Sequence, residues 1–174
     1  MNLLPEAFAA IRDFFEAGGN VLYGILFVTA LMWTFILERL WFFSVVLPRR
    51  VEQVRLDWDG RSDTSSWYAR KIRAELISGI RLECRRYVAP VKTMMVVLPL
   101  LGLLGTVTGM ISVFDAMALT GTGNARLMAA GVSKATIPTM AGLVAALSGL
   151  YFATWLDKKA SREAAGLADV LVSR

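Results

Sequence analysis

The sequence predicts an all-α integral membrane protein with three transmembrane helices, and two observations carry this prediction. Of its 174 residues, 56% are hydrophobic and only 19% are charged, whereas soluble globular chains are roughly 45–50% apolar. A soluble domain of this size could not bury so much apolar surface. The charges are also segregated, so that three long stretches contain none.

The three uncharged stretches are residues 17–37, 93–114 and 135–156. Each reaches the length of about 20 residues that an α-helix needs to cross the hydrocarbon core. Glu38 and Arg39 follow the first stretch, and residues 40–47 are uncharged again. We therefore predict transmembrane helices over 17–47, 93–114 and 135–156, the first continuing past the membrane surface.

Residues 1–16 are predicted to form an amphipathic helix on the membrane surface. Their large apolar side chains recur at helical spacing, at Leu4, Phe8, Ile11 and Phe15, which is typical of an interfacial helix. Acidic residues and the lack of a basic n-region argue against a signal peptide. A disordered tail is the alternative.

The distribution of lysine and arginine predicts the orientation. Residues 48–92 hold 11 of the 19 basic residues, and basic segments remain in the cytoplasm. We expect residues 48–92 and a C-terminal helix over 157–174 to be cytoplasmic, and the N-terminus and a loop over 115–134 to be periplasmic. Contact with anionic phospholipid explains the net charge of +5 without any nucleic acid.

The basic segment is predicted to contain a stalk helix that begins near Trp67. Its apolar residues recur every four positions, which indicates an amphipathic helix: Tyr68, Ile72, Leu76, Ile80, Cys84 and Val88. Pro90 marks its end or a kink before the second span. Helices two and three are thus expected to extend into the cytoplasm, where the apolar stripe packs on its own neighbours or on another copy.

The residue inventory argues against an enzyme, a metal site or a cofactor. The chain has no histidine, which removes the commonest general base and metal ligand. Its one cysteine, Cys84, cannot form an internal disulfide or a multi-cysteine metal site. No pair of nucleophile and base is visible in any span.

The second and third spans carry small residues at helical spacing. They are Gly102, Gly105 and Gly109 in span two, and Ala135, Thr139, Gly142, Ala146 and Gly149 in span three. Small faces allow helices to pack closely in lipid. Taken alone, these residues predict helix packing.

These spans contain no Asp, Glu, Lys, Arg or His, although a proton relay normally needs an ionisable group within the membrane. They can supply hydroxyls, among them Thr106, Thr108 and Ser112 in span two, and Thr136, Thr139 and Ser148 in span three. They can line a wet path, bind a carboxylate donated by another chain, or bond to carbonyls of their own helix. Asp115 and Lys134 lie at the outer ends of the two spans; the lysine can snorkel to the interface or face an acidic partner or a pore.

Two segments resemble a known family. Residues 98–114 read LPLLGLLGTVTGMISVF and residues 131–148 read GVSKATIPTMAGLVAALS; both are similar to signatures of the ExbB/TolQ/MotA proton-channel family. The chain most resembles the short ExbB proteins of TonB systems, because a 45-residue basic segment leaves little room for engaging a flagellar rotor.

The resemblance implies a homopentameric ring in the bacterial inner membrane, whose second and third spans line a central pore. An ExbD-like single-span partner inside the pore would supply a membrane aspartate. A TonB-like protein would use the proton-motive force to drive outer-membrane import of siderophores, haem or vitamin B12. A motor subunit of TolQ or MotA type and a non-conducting structural oligomer are the alternatives.

The resemblance also assigns residues by position. The pore threonines would be Thr106 and Thr139, with Thr108 and Ser148 as further hydroxyls on the pathway. Many family members have a glutamate five residues before the second pore threonine, where this chain has Lys134. The role of that glutamate cannot be transferred, and we instead expect a ring of lysines at the outer mouth.

Overall fold

A computed structural model describes residues 3–61, 63, 66–120 and 125–170, and among them it shows helices and no strand. The elements are α1 (Leu3–Trp41), a π-helical turn (Phe42–Val46), α2 (Leu47–Asp59), α3 (Trp67–Arg85), α4 (Val88–Thr120) and α5 (Ala125–Val170). Three helical stretches are long and apolar enough to cross a membrane: Gly18–Asp59, Trp67–Leu119 and Met128–Gly166. The predicted all-α fold with three candidate spans is confirmed.

The chain divides into two compact units. The first unit comprises Met1–Met32 and Thr93–Leu150, and the second comprises Trp33–Lys92 and Tyr151–Arg174. The core of the first unit is formed by α1, α4 and α5, through Leu22, Ile25, Met32, Leu98, Ala135 and Ala146. Large aliphatic side chains elsewhere on α4 are exposed in the protein, as expected of a helix whose outer surface meets lipid: Leu100, Leu103, Leu104, Val107 and Ile111.

The second unit buries the apolar stripe of α3. Ile80 and Cys84 are buried, and the preceding positions of the stripe, Ile72 and Leu76, are half-buried. Val88 is also buried, but it is the first residue of α4. Tyr68 is 73% exposed, and Ala69 is buried one position later. The predicted stripe is therefore confirmed on α3 from Ile72 to Cys84, and it is wrong at Tyr68, where the first turn of the helix buries Ala69 instead.

Helix α1 contains a backbone break at Gly19. Gly19 adopts φ 63° and ψ −164°, a conformation essentially restricted to glycine. The break lies three residues after the segment 1–16 that is predicted as a surface helix, near the start of the uncharged stretch 17–37. Phe8 and Ile11 of that segment remain exposed in the protein, and the side chain of Leu4 lies outside the described residues.

The helix that contains the first predicted span continues beyond residue 47. The helix passes through the π-helical turn Phe42–Val46 into α2, which ends at Asp59. Pro48 lies in the first turn of α2, and a proline cannot donate to the carbonyl four residues earlier and clashes with it. The wider π turn just before this proline accommodates the lost hydrogen bond.

The boundary between α3 and α4 is not at Pro90. The helix breaks at Arg86 and Tyr87, and Tyr87 adopts a left-handed φ of 51°. Pro90 lies in the first turn of α4, where the missing N–H would have no partner in the helix anyway. The kink predicted at the proline therefore lies three residues earlier.

The segment 115–134, predicted as a loop, is largely helical. Helix α4 runs to Thr120 and α5 begins at Ala125, because this segment is rich in Ala, Leu and Met, which favour helix. The C-terminal part of α5 continues to Val170, which is 14 residues beyond the end of the uncharged stretch 135–156. Residues 121–124, and residues 171–174 of the predicted C-terminal helix, lie outside the described residues.

Candidate functional site

The candidate site is a contact between α4 and α5 in which glycines let the two backbones approach closely. A Cβ atom at Gly102 would lie 2.9 Å from the Cα of Thr139, and one at Gly142 would lie 2.6 Å from the carbonyl oxygen of Leu98. Real Cβ atoms do not come so close to backbone atoms. The predicted small faces of the two spans therefore meet each other within one chain.

The same contact continues along the helices on both sides. A Cβ at Gly109 would lie 2.6 Å from that of Ala135, and one at Gly105 would overlap Pro138. At the other end, Gly149 faces Met32 of α1, whose sulfur would lie 2.5 Å from an added Cβ. The five glycines Gly102, Gly105, Gly109, Gly142 and Gly149 thus all lie at close contacts, where small residues are needed.

Thr139 joins the two helices by a hydrogen bond. Its hydroxyl donates to the backbone carbonyl oxygen of Gly102, at 2.8 Å. In an α-helix that same carbonyl also accepts the backbone N–H of the residue four positions later, which is Thr106. The two predicted pore threonines therefore share one carbonyl oxygen, which accepts the Thr139 hydroxyl and the Thr106 backbone N–H. The hydroxyl proton of Thr139 is used in this bond.

The other five hydroxyls that the sequence singled out in spans two and three form only bonds within their own helix. Each donates to a carbonyl of its own helix: Thr106 to Leu103 at 2.7 Å, Thr108 to Leu104 at 3.0 Å, Ser112 to Thr108 at 3.1 Å, Thr136 to Ser133 at 2.8 Å and Ser148 to Ala145 at 2.7 Å. This is the local bonding that hydroxyls in helices commonly adopt. Their lone pairs still allow them to accept a hydrogen bond from water, hydronium or a protonated carboxyl group.

The two predicted mouth residues are both exposed. Lys134 on α5 lines a cavity of about 560 Å³ in the first unit, together with Thr108 and Ser112 of α4. Asp115 is exposed on α4 and does not line this cavity. No ion pair of the described residues includes Lys134.

The chemistry available at this contact is limited to hydroxyls and carbonyls. The stretches 93–114 and 135–156 carry no Asp, Glu, Lys, Arg or His, so a proton that passes here needs a carboxylate or an amine from outside the chain. Within the described part of the chain, no cluster of three or more His, Cys, Asp or Glu could hold a metal ion.

Sequence reasoning missed a buried arginine in the second unit. Arg39 is 2% exposed; its Nη1 donates to the carbonyl oxygen of Glu83 at 2.6 Å, and its Nε donates to Glu38 at 2.8 Å. Its guanidinium also lies 4.2 Å from the ring centre of Phe42, a cation–π distance. The sequence does carry a signal for this site, because Glu38 and Arg39 interrupt two uncharged stretches, 17–37 and 40–47. These two charges were interpreted only as the end of the first stretch.

A sequence profile of the MotA/TolQ/ExbB proton channel family matches residues 45–168, which include the whole contact between α4 and α5. The chain belongs to this family. The resemblance seen in the two sequence signatures is therefore confirmed, and the chain is a multi-pass membrane protein of a family of proton-channel motor subunits.

Two relatives from Synechocystis sp. are similar to this MotA/TolQ/ExbB chain. One, ExbB-like 3, is 41% identical over 71 residues, which cover 40% of this chain and 34% of the relative. The other, ExbB-like 1, is 30% identical over 172 aligned residues, which cover 80% of this chain and 68% of the relative. This chain thus spans about a third of the length of the first and about two thirds of the second.

Proposed function

We propose that the chain is the channel subunit of a motor driven by the proton-motive force. Copies of the chain form a pentameric ring in the bacterial inner membrane, with α4 and α5 around a central pore. An ExbD-like single-span protein occupies the pore, and a TonB-like protein transmits its motion to importers of siderophores, haem or vitamin B12. The observation that carries the proposal is the hydrogen bond from Thr139 to Gly102 in a stretch without charges.

This contact needs a partner to move protons. A carboxylate brought by the partner can take up a proton and pass it along, with the lone pairs of Thr106 and Thr139 accepting hydrogen bonds from its protonated form. Because the chain offers no competing ionisable group at this depth, the partner's carboxylate carries the charge. One proton crossing 100 mV releases about 2.3 kcal/mol, enough to bias repeated small movements of a loosely held helix.

The lysines and arginines support the orientation of the subunit. Residues 48–92 hold 11 of the 19 basic residues, and more follow residue 156. By the positive-inside rule these segments lie in the cytoplasm and the N-terminus lies in the periplasm. The 14 residues of α5 beyond residue 156 then extend about 21 Å into the cytoplasm.

Two other functions deserve a test. A motor of TolQ or MotA type would use the same contact with a different output, and the genes beside this one distinguish them. A non-conducting structural oligomer is favoured by the five hydroxyls bonded to their own helices. In that case the α4–α5 contact would serve only to pack the helices.

The experiment that tests ion conduction compares three variants in proteoliposomes that contain the chain and its single-span partner. Thr139→Val removes the hydroxyl at the contact, Thr139→Ser retains it, and Thr136→Val removes a hydroxyl one turn away that bonds only to Ser133. We expect proton uptake to fall at least tenfold in Thr139→Val and to stay near wild type in the other two. Normal uptake by a fully assembled Thr139→Val complex would leave the structural oligomer as the better explanation.

A further inference from the structure

A cavity in the first unit lies beside Lys134, and neither Thr139 nor Gly102 lines it. Its volume of about 560 Å³ lies within the range of sites that enclose small organic molecules, roughly 300–1,000 Å³. The lining comes from the Gly18–Val21 part of α1, from Gly105 to Met117 on α4, and from Gly131 to Pro138 on α5. Three helices thus surround a space that none of them fills.

Lys134 is the one charged side chain among the residues that line this cavity. The hydroxyl protons of Thr108 and Ser112 are already donated to carbonyls of α4. Lys134 is exposed and forms no ion pair with another described residue, so its ammonium group can pair with a negatively charged ligand. The charge of the cavity therefore fits a ligand with an anionic group next to Lys134.

The depth of Lys134 indicates where that negative charge comes from. Lys134 immediately precedes the uncharged stretch 135–156, so it lies at the edge of the hydrocarbon, where lipid headgroups are found. Thr139 is five residues further along α5, about 7.5 Å deeper. A lipid phosphate lies at the level of Lys134, whereas a carboxylate that serves Thr139 would lie deeper in the hydrocarbon, and Lys134 would have to extend inward to meet it.

The cavity also extends inward from Lys134, and there its lining is apolar. The inward part is bounded by Val21, Gly105, Gly109, Ala135 and Pro138. A molecule that fits such a site carries its charge at the membrane boundary and an alkyl chain below it. Lipid tails offer an alkyl chain surroundings similar to this lining, so the headgroup contact decides which lipid is preferred.

We propose that this cavity binds one acidic phospholipid per chain, with the phosphate paired to Lys134 and the upper part of an acyl chain between α1, α4 and α5. The site requires insertion of the chain in a membrane and does not depend on ion conduction. It makes the lysine a lipid-binding residue rather than a group on the proton pathway.

Native mass spectrometry of the detergent-solubilised, assembled chain tests the headgroup contact. The protein is titrated with phosphatidylglycerol and separately with phosphatidylcholine, as wild type, Lys134→Gln and Lys134→Arg. We expect wild type and Lys134→Arg to prefer phosphatidylglycerol, and Lys134→Gln to bind it about fivefold more weakly, the factor expected for one basic side chain near a membrane surface. An unchanged preference in Lys134→Gln would overturn the proposal.

A pair of phenylalanine variants tests the cavity itself. Ala116 lines it, whereas Ala118 is exposed on the same helix and does not. We expect Ala116→Phe to lose bound phosphatidylglycerol while it retains the oligomer mass of wild type, and Ala118→Phe to bind as wild type does. Equal binding by the two variants would place the lipid elsewhere on the surface.

Two competition experiments distinguish the other occupants. Inorganic phosphate at millimolar concentration should not displace phosphatidylglycerol, because it lacks the acyl chain; full displacement would reduce the site to one for a free anion. The single-span partner, when co-expressed, should leave the bound lipid in place. Loss of the lipid from wild type on partner binding would show that the cavity receives the partner instead, and would overturn the proposal.

Discussion

The hydroxyl of Thr139 on α5 donates to the carbonyl oxygen of Gly102 on α4, at the position where a side chain on Gly102 would collide with the Thr139 backbone. The close approach and the hydrogen bond depend on each other: the glycine brings the carbonyl within reach, and the hydroxyl gives that carbonyl a second donor. The result is a polar contact within an uncharged stretch, which a subunit that lets protons pass requires and a purely apolar contact would not provide.

We predict that Gly142→Ala destabilises the first unit. Its Cβ would lie 2.6 Å from the carbonyl oxygen of Leu98, and overpacking of this kind typically costs about 1–3 kcal/mol. Gly24→Ala is the matched control, because nothing lies within 4 Å of a Cβ there. Thermal unfolding in detergent should show a lower Tm for Gly142→Ala and no loss for Gly24→Ala. Equal Tm values for the two variants would contradict the close α4–α5 contact.

We predict that Gly19→Ala is also destabilising, for a different reason. A Cβ at Gly19 meets no atom within 4 Å, but φ 63° with ψ −164° is essentially restricted to glycine, and holding another residue there costs on the order of 1–3 kcal/mol. The same unfolding measurement should show a lower Tm than Gly24→Ala. A variant as stable as wild type would mean that α1 continues unbroken through residue 19.

We predict that Cys84 is protected from thiol reagents in wild type and becomes reactive in Arg39→Gln. Cys84 is completely buried, and Arg39 donates to the carbonyl of the adjacent residue, Glu83. Loss of the guanidinium leaves that carbonyl with only the longer bond from the Arg86 N–H, at 3.3 Å, and it removes a fully packed side chain beside the thiol, which loosens the packing there. Maleimide labelling followed by mass spectrometry measures this.

The exposed Arg49 provides the control for that experiment. Arg49→Gln should leave Cys84 as slow to label as in wild type. Fast labelling of the wild-type protein, or the same slow labelling in Arg39→Gln, would contradict the buried position of Arg39.

We predict that the ion pair between Lys92 and Asp157 contributes little to stability. Its atoms are 2.9 Å apart, but the side chains are 51% and 37% exposed, and such pairs are typically worth about 0.2–1 kcal/mol. A double-mutant cycle with Lys92→Met and Asp157→Asn should give a coupling energy within that range. A coupling above about 2 kcal/mol would show that the pair is shielded from solvent in the assembled protein.

Much of the fold could be predicted from the sequence, because its strongest signals concern membrane insertion. The uncharged stretches 93–114 and 135–156 lie within α4 and α5, since only a helix of sufficient length satisfies the backbone in lipid. The stripe from Ile72 to Cys84 could be predicted for a similar reason: its period is that of one face of α3.

The rest depends on contacts between residues that are distant in the sequence. The partner of Thr139 is 37 residues away, and nothing in the pattern of either span distinguishes its hydroxyl from that of Thr136, which bonds locally. The burial of Arg39 likewise depends on Glu83, 44 residues later. The sequence predicted a helix end or kink at Pro90, because proline usually marks one. The break lies at Tyr87 instead, and Pro90 is tolerated in the first turn of α4.

Native mass spectrometry of the chain, alone and co-expressed with its neighbouring single-span protein, tests the proposed motor most directly. The proposal predicts a pentamer that retains the partner in fewer copies than the chain itself, in wild type and in Thr139→Val alike. A monomer or dimer that ignores the partner would contradict it, and would leave the glycines and threonines of α4 and α5 as packing residues within a single chain.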